Sequence, residues 1–349
     1  MTRSKRTMLL TGGSGVIGRA VLDAMADDFD IVCLRGRRPI DDPRVGEFAG
    51  DFTHPTLGLP AADYADLVDR VDVVLHGAAV TKWNVDPARL RAVNVQGPAS
   101  MLRVAADADA PLYYLSTAFV IRQAPSDERF AGLAAYLESK TEAEELIRAG
   151  SVPAVILRPS VVTGDSRDGR MAAFQGLHRI LGSAVRGTLP VMAGDIGSRV
   201  DTVPLDIVVE AVGNLIREGA TGGEYWLTAG DQALTFTDLA ELCEHVSRLA
   251  WIGAVRPRFM PFESIDRLLL PLLDDLIPDG QRQMFVDFLE SAWVFQSGDV
   301  MPSDLDRLGF GDRATKDALT EALRRSLIYW AQVKKLLPAQ PPMAESAAR

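Results

Sequence analysis

Tyr136 and Lys140 are the two residues of this 349-residue chain whose types and spacing point most directly to chemistry. Positions four apart lie on one face of a helix, so the Lys140 ammonium can approach the Tyr136 hydroxyl. A nearby cation lowers the pKa of a tyrosine from its ordinary value of about 10, which suits the hydroxyl to general acid catalysis near neutral pH. The pair follows a predicted strand that ends in Ser116 and Thr117, whose hydroxyls can join it.

A glycine-rich turn near the N-terminus supplies the second part of the pattern. Gly12, Gly15 and Gly18 follow a predicted strand and open a predicted helix, which is the context that a dinucleotide-binding turn requires. The first glycine permits the tight turn, the second lets a pyrophosphate approach backbone N–H groups, and the third lets helix and strand pack closely. We expect a cofactor to contact the whole turn, that is Gly12, Gly13, Ser14, Gly15, Val16, Ile17 and Gly18.

The end of the second predicted strand indicates which nicotinamide cofactor is used. An NAD site usually has an acidic residue there, which holds the ribose 2′-hydroxyl. This chain instead has Arg35, Arg37 and Arg38. Because a guanidinium matches a 2′-phosphate in charge and geometry, the sequence predicts NADP(H). The alternative is that some of these arginines are only solvated loop residues.

Short apolar runs alternate with helical patterns through the first half of the chain. The predicted strands are residues 7–11, 30–34, 45–50, 71–76, 112–116 and 154–158, and the predicted helices are residues 15–26, 61–69, 87–106 and 136–148. Strands that are apolar at nearly every position suit a parallel sheet covered on both faces. With a glycine turn after the first strand, the alternation predicts an α/β fold with a Rossmann, doubly wound parallel sheet.

The second half of the chain is mostly helical in pattern. Helices are predicted at residues 171–181, 205–217, 236–248, 262–276 and 314–333, with a short strand at 224–227. We therefore expect three parts. They are an NADP-binding Rossmann domain at 1–165, to which some later segments return, a smaller substrate-binding lobe at 166–336, and a flexible tail rich in Pro and Ala at 337–349.

The charge distribution excludes one broad class of function. A net charge of −10 argues against general nucleic-acid binding, which needs a basic surface. One stretch is locally positive, because residues 158–199 contain six arginines and three aspartates. That stretch is as consistent with an anionic ligand, such as a phosphopantetheine phosphate, as with a solvated loop surface.

Composition also bears on compartment and metal content. Cys33 and Cys243 are the two cysteines, and Cys33 lies in a predicted buried strand, so a structural disulfide is not expected. No signal peptide and no apolar run long enough to span a bilayer is present, and we expect a cytoplasmic protein without a membrane span. The histidines lack metal-ligand spacing, which predicts no metal.

Six segments, in order along the chain, resemble those of one enzyme superfamily: 11–18, 50–59 (GDFTHPTLGL), 76–79 (HGAA), 94–97 (NVQG), 157–166 (LRPSVVTGDS) and 199–206 (RVDTVPLD). Over about residues 7–230, the chain is similar to extended short-chain dehydrogenases/reductases. Within them it most resembles the thioester-reductase-like branch, which includes fatty acyl-CoA reductases and the terminal reductase domains of peptide synthetases and carboxylic acid reductases. By this resemblance the further cofactor-contacting residues are Asp51, Phe52, Gly77, Ala78, Ala79, Pro159, Ser160 and Val161.

The resemblance also implies a catalytic set. Thr117 would hydrogen-bond the substrate carbonyl, with Ser116 as the fallback, and Asn94 would brace the active site. Tyr136 would give the proton, and Lys140 would hold the cofactor ribose and tune Tyr136. One departure concerns the substrate, since Thr117 and Tyr136 are only 19 positions apart and acyl thioester reductases are expected to have a longer segment here. A second is Gly36, which stands where relatives tend to have Arg.

These patterns together predict an NADPH-dependent reductase of an acyl thioester on coenzyme A or on a carrier protein acting in trans. The product would be an aldehyde or an alcohol. The enzymatic alternative is a reductase of a free ketone or aldehyde in secondary metabolism. A nucleotide-sugar epimerase or dehydratase and a non-catalytic NADP sensor fit less well, the latter because the catalytic set is intact. By analogy with relatives, helices 87–106 and 136–148 would form the interface of a homodimer.

Overall fold

A seven-stranded parallel sheet lies at the centre of the structure, as the apolar runs predict. The computed structural model describes residues 5–36, 38–189, 191–194, 197–253, 256–265, 267, 289–294 and 299–338. The sheet has the spatial order β11-β6-β5-β4-β1-β2-β3, and its strands are β1 (Arg6–Thr11), β2 (Phe29–Arg35), β3 (Gly46–Ala49), β4 (Val73–His76), β5 (Leu112–Leu115), β6 (Ala154–Pro159) and β11 (Gly222–Leu227). This is the predicted Rossmann arrangement, and that prediction is confirmed.

Helices cover both faces of this sheet and build the remainder of the chain. They are α1 (Val16–Met25), α2 (Ala61–Val68), α3 (Pro87–Arg91), α4 (Gly97–Asp107), α5 (Ala131–Ala149), α6 (Gly176–Val185), α7 (Leu205–Glu218), α8 (Phe236–Leu249), α9 (Phe262–Ser264) and α10 (Lys316–Val333). Among the described residues, six short strands pair outside the main sheet: β7 (Val161–Thr163) with β10 (Thr202–Pro204), β9 (Arg199–Val200) with β12 (Leu234–Thr235), and β8 (Val191–Ala193) with β13 (Arg258–Met260).

The helix predicted at 87–106 is interrupted by one π-helical turn, Ala92–Gln96. Pro98 lies at the start of α4 and has no N–H to donate to the carbonyl of Asn94, four residues earlier. The wider turn accommodates that missing bond and carries Asn94 into a buried position. The starts of two other helices differ by five residues from the prediction, since α5 starts at Ala131 rather than 136 and α6 at Gly176 rather than 171.

Two later segments belong to the Rossmann layers. β11, expected as a short strand within the lobe, pairs with β6 and forms one edge of the main sheet. α7 packs against α1, where Arg217 donates to the Asp28 carboxylate at 2.7 Å and to the carbonyl of Ala24 at 3.2 Å. The apolar core under β1 and α1 therefore includes side chains of α7.

The lobe has its own apolar core, built from α6, α8 and α10. Leu181, Val246 and Trp330 lie in it, and Arg186 covers the Trp330 ring at 4.9 Å. Most of the helix predicted at 262–276, and residues 339–349 of the expected tail, lie outside the described residues. Among the helices that the structure describes, none has both the length and the apolar character needed to cross a bilayer.

Candidate active site

The glycine turn after β1 is closely packed against the loop after β4. Gly12 has φ +80°, and a Cβ there would lie 2.6 Å from the carbonyl carbon of Gly77. A Cβ on Gly18 would collide with the Gly12 carbonyl oxygen. Neither position has room for a side chain, so the turn can pack this closely only with glycine at both places.

The N-terminus of α1 is an uncompensated donor site. Gly15 is its N-cap residue, with no side-chain cap and no acidic residue in the first turn. Backbone N–H groups at a helix start, together with the helix dipole, favour a phosphate. With the glycine cradle beside it, this end of α1 fits a dinucleotide pyrophosphate, and Ser14, Val16 and Ile17 flank it.

At the end of β2, Arg35 meets an acid that comes from the neighbouring strand. Its Nε lies 3.5 Å from Oε1 of Glu47 on β3 and has no hydrogen-bond partner among the described residues. Glu47 also accepts from the N–H of Ile40 at 2.7 Å through its other oxygen. Arg38 is exposed, and Arg37 lies outside the described residues. Sequence reasoning missed Glu47, because its approach to Arg35 depends on the pairing of β2 with β3.

Asp51 and Phe52 lie beyond β3. Oδ1 of Asp51 accepts from the backbone N–H and hydroxyl of Thr53, at 2.9 and 2.6 Å, and these bonds lower the carboxyl pKa. Phe52 packs edge-on against His76, with ring centroids 6.1 Å apart. Asp51 is exposed, and these two bonds within the local turn use one of its carboxylate oxygens.

A row of side chains crosses three adjacent strands on one face of the sheet. Thr11 on β1, His76 on β4 and Tyr114 on β5 are register partners. Oγ1 of Thr11 accepts from the Ala78 N–H at 3.1 Å and lies 2.6 Å from Nδ1 of His76. Nδ1 of His76 therefore shares a hydrogen bond with the Thr11 hydroxyl, while Nε2 is buried without a partner among the described residues. Burial, and then the charge of Lys140, lower the His76 pKa to about 3, so the ring is neutral.

Lys140 ends this row on the α5 side. Its buried Nζ donates to the Tyr114 hydroxyl at 2.6 Å and to the Leu115 carbonyl at 3.0 Å. An ammonium has three N–H groups, and one remains for a cofactor ribose. Burial lowers the Lys140 pKa to about 7, and the charge of Glu144 acts in the opposite direction.

Tyr136 differs from the expectation drawn from its spacing to Lys140. The phenol is buried, 8% exposed, and burial raises its pKa to about 12, while a hydrogen bond with Thr117 opposes that rise. The predicted lowering by Lys140 is wrong for this state, because the ammonium is directed to Tyr114 and Leu115. Tyr136 is consequently protonated at neutral pH, which is the form that donates a proton.

Asn94 holds the loop after β4 against α5. Its Oδ1 accepts from the Val80 N–H at 2.8 Å, and its Nδ2 donates to the Val80 carbonyl at 3.0 Å and to the Ser139 hydroxyl at 3.2 Å. Ser139 in turn donates to the Tyr136 carbonyl at 2.7 Å. The amide thus ties the loop that follows Gly77, Ala78 and Ala79 to the turn of α5 that carries the tyrosine.

The family described as Male sterility protein, an NAD-binding family, matches residues 37–212, half of the chain. The chain belongs to this family. It is therefore a nicotinamide-dinucleotide oxidoreductase of the extended short-chain dehydrogenase/reductase type, in the thioester-reductase-like branch.

Individual relatives agree with this assignment. The chain is 26% identical over 319 residues to the hybrid PKS-NRPS synthetase gkaA of Penicillium citrinum, which covers 82% of this chain and 7% of that protein. The solved terminal R domain from the myxalamid PKS-NRPS pathway superposes with a TM-score of 0.75 at 25% identity, covering 98% of this chain and 94% of that one. A thiolation-reductase di-domain from an archaeal non-ribosomal peptide synthetase shares the fold, with a TM-score of 0.68 at 16% identity, covering 95% of this chain and 76% of that one.

In this oxidoreductase the Ser116 hydroxyl bonds away from Thr117 and Tyr136, the candidate catalytic pair. It donates to Oε1 of Glu144 at 2.5 Å, and Glu144 also accepts from the buried Arg158 at 2.9 and 2.6 Å. Arg158 lies between Glu144 and Glu224 and covers the Trp226 ring at 4.5 Å. Ser116 is therefore part of a buried ion-pair network, which argues against its fallback role beside Thr117.

Arg158 belongs to the locally positive stretch at residues 158–199, but its charge is paired with Glu144 and Glu224. Two more of those arginines are paired within their own loop, Arg167 with Asp165 and Arg170 with Asp168. Arg199 donates to the Asp231 carbonyl.

The three residues expected to contact the cofactor after β6 lie where two strands meet. Pro159 is the last residue of β6, the buried Ser160 connects the strands, and Val161 is the first residue of β7. Among the described residues, His, Cys, Asp and Glu do not gather in groups of three suited to a metal.

Tyr114 is a residue of the oxidoreductase's site that sequence reasoning missed. We expect Tyr114→Phe to lower the Lys140 pKa by roughly one to two units, because the variant loses a hydrogen bond to a charged group worth about 1.5–3 kcal/mol. Activity that needs the ammonium falls as pH rises through that pKa. The alkaline limb of kcat/KM for the cofactor, which reports the free enzyme, should therefore move to lower pH, with little loss below it.

Tyr113→Phe is the matched control for this measurement. Tyr113 is also buried, but its hydroxyl donates to the carbonyls of Ala220 and Leu215, at 2.6 and 3.2 Å. The control loses a buried hydrogen bond without touching Lys140, so its alkaline limb should stay in place. An unmoved limb in Tyr114→Phe would show that Tyr114 does not set the Lys140 pKa.

Proposed function

We propose that this protein is an NADPH-dependent reductase of acyl thioesters, carried by coenzyme A or by a carrier protein, that forms an aldehyde or an alcohol. The observation that carries this proposal is the buried Thr117–Tyr136 pair, one helical turn from Lys140. Its relatives named as PKS-NRPS synthetases and as a terminal R domain support the thioester class. The chain spans about 7% of the length of the synthetase, so the proposed substrate rests on the residues of the site.

The cofactor, when bound, supplies a hydride to the carbonyl carbon. The chain's own residues act on the oxygen. Thr117 and Tyr136 hold the carbonyl oxygen, and Tyr136 transfers its proton to the oxygen as negative charge develops there. Because burial raises its pKa to about 12, the phenol holds that proton at neutral pH until the oxygen becomes the stronger base. The resulting hemithioacetal then breaks its C–S bond, as its hydroxyl loses a proton and the departing sulfur gains one, and the aldehyde and the free thiol result.

Apolar residues around Tyr136 keep water from the reacting carbonyl. Leu133 of α5 packs there with Ala193, Ala292 and Val294, which come from the lobe. A site of low polarity strengthens the hydrogen bonds to a developing oxyanion. It also suits the apolar part of an acyl group.

The preference for NADP(H) rests on the arginines after β2. Arg35 and the exposed Arg38 stand at the end of that strand, where an NAD enzyme usually has an acid. Glu47 does approach, but one of its oxygens accepts from the Ile40 N–H at 2.7 Å and the other lies 3.5 Å from the Nε of Arg35. The guanidinium groups therefore match a 2′-phosphate better than they match a free ribose 2′-hydroxyl. A lower Kd for NADPH than for NADH in fluorescence titration is the expected result.

The test of the thioester reaction is NADPH oxidation against a panel of acyl-CoA thioesters and the matching ketones and aldehydes. We expect NADPH to be consumed with thioesters, with one thiol released for each acyl group reduced. Consumption with ketones or aldehydes alone would contradict the thioester assignment. It would favour the alternative reductase of free carbonyl compounds, for which the short Thr117–Tyr136 segment is the supporting observation.

A further inference from the structure

Three side chains on one face of α5 contact successive residues at the end of β5 and just after it. They are spaced four residues apart along the helix, and they are Tyr136, Lys140 and Glu144. The tyrosine shares a hydrogen bond with Thr117. The lysine donates to the Leu115 carbonyl at 3.0 Å, and the glutamate accepts from the Ser116 hydroxyl at 2.5 Å. These three contacts together fix how α5 lies against the end of β5.

Ser116 is the central contact of the three and is held through both its backbone and its side chain. Its N–H donates to the Leu157 carbonyl on β6 at 2.8 Å, and its hydroxyl donates to Glu144. The next residue along the chain, Thr117, is also buried, and its hydroxyl accepts from the Phe119 N–H at 3.3 Å. The position of the Thr117 hydroxyl therefore depends on how firmly Ser116 is held.

Glu144 is itself fixed by two arginines. Its Oε1 accepts from Nε of Arg158 at 2.9 Å, and its Oε2 accepts from one terminal nitrogen of Arg158 and one of Arg148, each at 2.6 Å. The Glu144 side chain is 2% exposed. Charge-assisted bonds of this kind are strong and directional, so the carboxylate is a rigid acceptor for the Ser116 hydroxyl.

Glu144 also acts on Lys140 through its charge. Among the described residues, the other titratable groups around Lys140 are Tyr136 on the same helix, Tyr114 on β5 and His76 on β4. All three are neutral near pH 7, because burial raises the pKa of both phenols and lowers that of the imidazole. The Glu144 carboxylate raises the Lys140 pKa, against the fall to about 7 that burial causes. Near neutral pH this charge therefore changes the fraction of Lys140 that is protonated.

We propose that Glu144 is a positioning residue for the reduction of the carbonyl. Through Ser116 it holds Thr117 beside the proposed proton donor, and through its charge it keeps Lys140 in the ammonium form. Glu144 thus acts through other residues and not on the substrate itself. The proposal rests on the proposed function, in which Thr117 and Tyr136 hold the carbonyl oxygen.

Ser116→Ala tests the first part of the proposal. The variant lacks the hydroxyl, but Glu144 keeps its bonds from Arg158 and Arg148 and is not left unpaired. We expect kcat to fall about tenfold or more, because a displacement of about 1 Å in a catalytic group can lower a rate by up to about 100-fold. The Kd for NADPH and the thermal midpoint should stay close to those of the wild type. A kcat equal to that of the wild type would overturn positioning through Ser116.

Tyr113→Phe is the matched control, since it also removes one buried hydroxyl from the same strand. The Tyr113 hydroxyl donates to the carbonyls of Ala220 and Leu215, away from α5. Its kcat should equal that of the wild type. An equal fall of kcat in both variants would show that any lost hydroxyl on this strand slows the reaction, and it would overturn the specific role of Ser116.

Glu144→Gln and Glu144→Asp test the second part, through the pH dependence of the Kd for NADPH. If the Lys140 ammonium holds the cofactor ribose, affinity falls as pH rises through the Lys140 pKa. Gln removes the charge that raises this pKa, so the fall should move to lower pH by about one unit, whereas Asp keeps the charge and should leave it in place. Both variants are measured where circular dichroism shows them folded. Loss of stability alone does not move this midpoint, and a midpoint equal in Gln, Asp and wild type would overturn the effect of the charge.

These outcomes are separable from failure of the proposed function. If the wild type reduces ketones or aldehydes but no thioester, the proposed substrate fails, and Ser116→Ala is compared with Tyr113→Phe on that carbonyl compound. If thioesters are reduced equally well by Ser116→Ala, the reaction stands and the positioning role through Ser116 fails. If the wild type reduces neither class, the proposed reaction fails, and the NADPH titrations still decide whether Glu144 acts on Lys140.

Discussion

Replacement of Tyr136 by Phe is expected to lower kcat by about 10³-fold while the Kd for NADPH changes by no more than about twofold, within the range that general acid catalysis contributes. Phe fills the same apolar cluster, with Leu133 and Val294 around it, and removes only the hydroxyl. The lost group is the proposed proton donor, and the hydrogen bond to Thr117 goes with it. Steady-state kinetics with the best thioester, and a fluorescence titration with NADPH, measure the two quantities.

Tyr64→Phe is the control for this experiment. Tyr64 also donates its hydroxyl to a side chain, that of Asp107 at 2.7 Å, but on α2 and away from the catalytic residues. Its kcat should equal that of the wild type. A Tyr136→Phe enzyme that keeps more than a tenth of wild-type turnover would remove Tyr136 as the proton donor. A wild-type protein that binds NADPH and turns nothing over would favour the sensor alternative.

Glu144→Gln is expected to lower the free energy of unfolding by about 3–5 kcal/mol, the range for removing one member of a buried ion pair. Glu144 and Arg158 are both buried, and Glu144 accepts from Ser116 as well. The neutral amide keeps the shape but leaves the Arg158 guanidinium with only the partly exposed Glu224 as its charged partner. Chemical denaturation followed by circular dichroism measures the change.

Glu142→Gln on the same helix provides the comparison. Glu142 pairs with Arg91, and the two side chains are 34% and 60% exposed. An exposed pair of this kind contributes about 0–1 kcal/mol, so its loss should be barely measurable. Equal destabilisation by the two substitutions would mean that the buried network around Glu144 is not an exceptional contributor to stability.

The sequence predicts most of the sheet because its strands are buried on both faces. The ends of β1 to β6 lie within about two residues of the predicted bounds, since continuous apolar runs such as that of β4 are distinctive. The glycine turn and the Tyr136–Lys140 spacing are equally local patterns. Each can be read from a few consecutive residues, and the comparisons confirm the branch of the superfamily that they indicate.

What the sequence did not predict depends on contacts between distant segments. Glu47 approaches Arg35 only because β3 pairs with β2. Tyr114 reaches Lys140 across 26 positions of the chain. One signal was present: Glu144 stands four residues after Lys140, which continues the face begun by Tyr136 and Lys140.

The position of β11 has a consequence for how the chain folds during synthesis. β6 is bordered by β5 on one side and by β11 on the other, and Gly222 pairs with Ala154, about 70 residues earlier. At about 5–20 residues per second, the ribosome takes several seconds to deliver that partner. For that time the apolar strand β6 has one unpaired edge, where a strand of a neighbouring nascent chain can add. We expect misassembly between nascent chains to begin at β6, and a slow-translating stretch before residue 222 to increase it.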